Sequence, residues 1–110
     1  MTHEHIKALD NLIAAVEGGA FLLGAIKGRL EDKAYDAFFG SLDAAKALHE
    51  ALLPGWAWEI MTINYPEKTS YVVMLKGRKV RDLMASGNQN PARAWLIAIL
   101  KAYRAQVDAS

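Results

Sequence analysis

The chain has 110 residues, 53% of them hydrophobic and none of them cysteine. That is the size of one domain with a core large enough to need no staples, and the composition excludes disorder, disulfides, thiolate metal sites and thiol nucleophiles. The net charge of +1 hides an asymmetry, because residues 1–55 carry five basic and eight acidic side chains whereas residues 56–110 carry eight basic and four acidic. Such a dipolar chain points only weakly to an anionic partner.

The first helix is set by Ile6, Leu9, Leu12, Ile13 and Val16, which recur at three- and four-residue steps and so share one face. Thr2 is placed to cap it, Glu4 suits the positive end of its dipole, and Gly18 and Gly19 end it. His3 and His5 flank Glu4, but alternate residues on a helix point apart, so the pair makes a poor metal site and none is expected. The opening MTHEH has no basic run ahead of an apolar core, so no signal peptide is read there. The longest apolar run, 18–26, falls short of the roughly 20 residues that span a bilayer. No membrane contact is expected, and with the lack of cysteine this fits the cytoplasm.

Residues 20–39 predict two short helical pieces, or one imperfect helix, ending at Gly40. Gly24 and Gly28 each weaken a helix by about 1 kcal/mol relative to alanine, whereas Leu30, Ala34 and Phe38 restore a helical row. Ser41 then caps a clean helix whose apolar face is Leu42, Ala45, Leu48, Leu52 and Leu53, and Pro54-Gly55 stops it. Within that helix His49 lies between Ala45 and Leu52 on the apolar face. The zinc-protease pattern HExxH is absent because position 53 is leucine, and a lone histidine without a nucleophile or acid beside it reads as structural.

Residues 56–63 predict a strand with Trp56, Trp58 and Ile60 on one side and Ala57, Met61 and Ile63 on the other. A turn-rich link over 64–69 leads to a second strand over 70–76, and a hairpin is the simplest pairing. Residues 80–85 offer a short third strand. The two main strands are apolar on both faces, so the sheet asks to be covered twice: by helices on each side, or by a helix on one side and a second subunit, a homodimer, on the other. Asn90-Pro91 opens a last helix that runs to about 107, with Ala92, Trp95, Leu96, Ile99 and Tyr103 facing inward. Trp56, Trp58 and Trp95 all read as core rather than as platforms for stacked bases.

Three segments together anchor most of the chain: LIAAVE at 12–17, GSLDAAKALHEALLPGW at 40–56, and PARAWLIAILKA at 91–102. Their order, with a strand pair between the second and third, resembles the phage ABA sandwich domain family of small bacteriophage and prophage proteins. The resemblance implies a three-layer α/β/α sandwich and a phage or prophage origin, hence a bacterial cytoplasm. It implies no activity, cofactor or site residue. The residues independently predict one α/β domain over 1–110, with a small, mainly antiparallel sheet of two or three strands between helices.

No paired carboxylates, glycine-rich phosphate loop or nucleophile elbow occurs, and no enzyme activity or cofactor is expected. The leading expectation is a non-enzymatic accessory protein that binds, and modulates or inhibits, a host or phage protein such as a host defence component. Lys76, Arg78, Lys79 and Arg81 form the densest basic run, with Arg93 and Lys101 as candidate neighbours, and they support the alternative of a nucleic-acid binder.

Overall fold

A computed structural model describes residues 3–64 and 66–109. The elements, in chain order, are α1 (His3–Glu17), α2 (Arg29–Phe38), α3 (Leu42–Leu52), β1 (Ala57–Asn64), β2 (Thr69–Lys76), β3 (Leu83–Asn88) and α4 (Pro91–Ala109). The α/β class, with helices layered against a small antiparallel sheet, is as the sequence predicts. The sheet is a meander in the order β1-β2-β3, and both pairings are antiparallel.

The caps follow the side-chain chemistry. Ser41 Oγ accepts the Ala44 amide at 3.1 Å, and Asn90 Oδ1 accepts the amides of Ala92 and Arg93 at 3.0 and 3.2 Å. Each satisfies helix-start donors that would otherwise have no partner. Thr2, the expected cap of α1, lies outside the described residues, as does Tyr65 in the β1–β2 turn.

Helix α4 is the centre of the molecule. Seven consecutive residues, 94–100, are buried, along with Ala92, Ala102 and Val107. A helix apolar all round must be enclosed all round. The sheet packs on α4 through β2 and β3, and α1, α2 and α3 pack on it from elsewhere. The sequence pattern suggests only one buried face for this helix, because a helix between two layers lacks the polar stripe that reveals orientation. Val73 and Leu75 of β2 are fully buried, and Ile60 and Met84 pack against the same core. On the other side of the pleat Met61 and Leu83 are exposed, and Ile63, Val72 and Met74 are half-buried.

Three local expectations need correction. Residues 20–28 contain no helix, and α2 begins only at Arg29. Gly24 and Gly28 adopt φ of 102° and 69°, left-handed values that break a helix at both points. The segment is tied down instead: His5 Nε2 donates to the Ala25 carbonyl at 3.0 Å, Glu31 accepts the Gly24 amide, and Ala25 and Ile26 are buried. The third strand runs 83–88 rather than 80–85, because Asp82 closes a tight loop ahead of it. Leu42 is exposed, and Ala44 takes the inward position on α3.

Trp58 is the largest departure. It stacks on Trp95 with ring centroids 4.3 Å apart, yet 44% of it is exposed. Strand β1 is an edge strand, so the ring has a neighbour on one side and solvent on the other. Trp58→Ala should therefore cost only about 1–2 kcal/mol, within the ordinary range for a point substitution. Chemical denaturation beside Trp95→Ala checks this, and equal losses would contradict it.

The α1–α4 seam carries a surface ion-pair network. Arg104 bonds Asp10 at 2.9 Å and Asp108 at 3.1 Å, and Lys101 bonds Glu17 at 3.3 Å. The hydrogen bond from Arg104 holds the Asp10 carboxyl below its ordinary range, and the charge attraction of Arg104 adds to this against partial desolvation. A depressed carboxyl contributes stability above its unfolded pKa of about 3.9 and loses it as pH falls through the folded value. Asp10→Asn should thus lower the melting temperature slightly at pH 7, and the difference from wild type should shrink as pH falls through the lowered folded value; the effect is small because the pair is exposed.

Candidate functional site

His49 is the one buried polar side chain among the described residues, at 2% exposure. The indole Nε1–H of Trp95 donates to its Nδ1 at 3.2 Å. An indole N–H can only donate, so Nδ1 carries no proton, the ring is the neutral Nε2–H tautomer, and Nε2–H donates to the Trp56 carbonyl at 2.9 Å. Both ring nitrogens are used internally, so His49 links α3, the entry to β1 and α4. It is the structural histidine the sequence suggests. Among the described residues no group of three or more His, Cys, Asp or Glu side chains converges as metal ligands.

Lys76, the last residue of β2, and Arg78, Lys79 and Arg81 on the loop between β2 and β3 are all exposed. The loop is pre-formed: the Gly77 amide donates to the Asp82 carbonyl at 2.7 Å, the Asp82 amide to the Lys79 carbonyl at 2.9 Å, and the Lys79 amide to Asp82 Oδ2 at 3.1 Å. Gly77 allows this closure, since a Cβ there would lie 2.6 Å from the Asp82 Cβ and 2.7 Å from the Trp56 ring. Val80 at the tip is fully exposed among the cations. Beneath the loop, Trp56, Lys79, Arg81, Met84, Ala105 and Gln106 line an open cleft of about 640 Å³.

The structure does not bring Arg93 and Lys101 to this loop. Arg93 Nε donates to the Phe38 carbonyl at 3.1 Å with its guanidinium 4.0 Å from the Phe38 ring centre, and Lys101 pairs with Glu17. Arg93 lies in the first turn of α4, roughly 20 Å along the helix from the cleft residues Ala105 and Gln106 at 1.5 Å per residue.

A second surface appears at the α2 end. Phe21, Tyr35, Phe38 and Phe39 form a chain of ring contacts with centroids 4.9 to 5.8 Å apart. Phe38 is buried, but Tyr35 and Phe39 are 46% and 64% exposed, and Leu22, Leu23 and Leu42 are also exposed. Large apolar side chains gathered at one place on a surface mark contact sites far more than scattered ones do. Sequence reading missed this surface, although Tyr35 and the C-cap residue Phe39 are spaced i, i+4 and lie about 100° round the helix from the inward-facing Ala34 and Phe38. Asp32 and Asp36 lie on the same outward stripe.

Compared with protein-family models, curated proteins and solved structures, the chain matches none of them. Fold and surfaces together define a small α/β protein with an aromatic, acid-flanked surface at one end of α4 and a pre-formed basic loop at the other.

Proposed function

We propose that this chain is a non-enzymatic accessory protein of a bacteriophage or prophage that binds a host or phage protein through the exposed aromatic surface on α2. The single observation that carries the reading is the exposure of Tyr35 and Phe39 in ring contact with one another, 4.9 Å apart. Aromatic side chains offer large contact area at low entropic cost and dominate protein interfaces. Asp32 and Asp36 beside them favour a partner with basic side chains. The phage origin rests on the resemblance of 12–17, 40–56 and 91–102 to the phage ABA sandwich domain family, and a bacterial cytoplasm would follow from it.

Capture from bacterial lysate tests this. Wild type should enrich a discrete protein that the Tyr35→Ala/Phe39→Ala variant loses while melting normally. An enrichment untouched by that variant contradicts the reading.

The alternative is nucleic-acid binding by Lys76, Arg78, Lys79 and Arg81, and it is favoured by their exposure at the end of β2 and on the pre-formed loop that follows it. Such binding would fall steeply with salt, because the release of condensed counterions gains less as the salt concentration rises. A gel-shift titration at roughly 150 mM salt, near physiological ionic strength, should show no appreciable shift. Micromolar binding that disappears when all four cations are neutralised would replace the first reading with this one.

A further inference from the structure

The two exposed features of opposite charge match one another. On α2 and its C-cap residue the spacing i, i+3, i+4, i+7 puts Asp32, Tyr35, Asp36 and Phe39 on one outward stripe, two carboxylates alternating with two rings. The loop over 77–82 presents the complement: Arg78, Lys79 and Arg81 around the fully exposed Val80. Among the described residues the ion pairs involve Lys101, Arg104, Asp10, Glu17 and Asp108, and none of these stripe or loop charges. A guanidinium bonds a carboxylate and lies on an aromatic face equally well, and the stripe offers both side by side.

Within one chain the two features cannot meet. The stripe adjoins Phe38, which Arg93 holds at the first turn of α4, whereas the loop lines a cleft with the last turns of α4, roughly 20 Å away along that helix.

We infer that the basic loop of one copy docks on the acidic aromatic stripe of a second copy. The inference rests on the stripe being a binding surface, as proposed above, and names its ligand: a pre-formed loop with three cations around one small apolar side chain. The two surfaces differ, so the contact is heterologous, and copies add head to tail into a ring or open chain rather than a closed pair. One loop on one stripe covers much less than the roughly 800 Å² per partner of a stable interface. The association is therefore weak, rises with concentration and is screened by salt. A partner protein bearing a similar segment competes with it.

Sedimentation equilibrium of the full chain tests the inference, with two neutralised variants. One carries Arg78→Gln, Lys79→Gln and Arg81→Gln; the other carries Asp32→Asn and Asp36→Asn. At roughly 50 mM salt, where screening is weak, wild-type mass should climb past that of a dimer as concentration rises, and should return towards monomer near 1 M. Each variant alone should associate at least tenfold more weakly, and an equimolar mixture should form dimers and stop there, because each retains the half the other lacks. Wild type that stays monomeric to about 1 mM, a Kd at the weak end of measurable binding, overturns the inference. So does a variant that associates as wild type does, or a mixture that stays monomeric. A monomeric wild type that still captures a protein through Tyr35 and Phe39 overturns self-docking while sparing the proposed function. Head-to-tail assembly without any captured protein supports self-docking and removes the proposed function.

Discussion

Trp95→Ala should cost the domain about 3–5 kcal/mol, the usual loss for deleting a buried aromatic ring. Trp95 is 2% exposed in the central helix, stacks on Trp58 and donates to His49. Removing it leaves a cavity where the sheet, α3 and α4 meet, and withdraws the partner of a buried imidazole nitrogen. For a domain of this size the loss lowers the melting temperature by about 15–20 °C. A small domain has only about 5–15 kcal/mol in total, so partial unfolding at 37 °C is expected. Chemical denaturation gives the number, and a loss below about 1.5 kcal/mol would mean that the site collapses around the gap.

His49→Leu is the second large effect and acts through polarity rather than volume. Leucine fills similar space but leaves the Trp95 N–H and the Trp56 carbonyl without their partner. Each buried orphan costs about 1–3 kcal/mol, so a total loss of about 2–4 kcal/mol is expected after some gain from the apolar side chain. His49→Gln, whose amide both donates and accepts, should lose less. A cycle with Trp95→Phe separates the hydrogen bond from packing: the two substitutions break the same bond, so their effects should fall short of additivity by at least 0.5 kcal/mol, the lower end of the coupling seen for contacting residues. Strict additivity would show that the bond contributes nothing measurable.

Much of the fold is legible where local chemistry leaves no choice. Ser41 and Asn90-Pro91 are helix starts by side-chain geometry alone, Pro54-Gly55 is a stop, and the β1–β2 hairpin follows from two apolar runs joined by a turn. The sequence misleads where tertiary context decides. The 20–28 segment is apolar enough to pass for helix, and only the left-handed glycines at 24 and 28 and the His5 tether show otherwise. Trp58 looks like core by residue type, but its strand lies at an edge. The start of β3 is displaced by hydrogen bonds of Asp82, which a reading of hydrophobic pattern does not weigh.

The surfaces divide in the same way. The cations at 76–81 stand out in one dimension because they are neighbours in sequence. The α2 stripe is less conspicuous because its members are three and four residues apart, although the Leu30, Ala34 and Phe38 row already implies that Tyr35 and Phe39 lie off the inward face. By charge alone Arg93 groups with the basic loop, yet the length of α4 carries it to the other end, onto Phe38.

The proposed mode of action is protein contact through Tyr35 and Phe39. Calorimetric titration of the captured partner with purified wild type and Tyr35→Ala/Phe39→Ala, at roughly 150 mM salt, measures it most directly. At least a hundredfold weaker binding is expected in the variant, the loss of about 2.8 kcal/mol that interface aromatic anchors supply, with an unchanged melting curve. Equal affinity for wild type and variant, with binding abolished instead by neutralising Lys76, Arg78, Lys79 and Arg81, would contradict it.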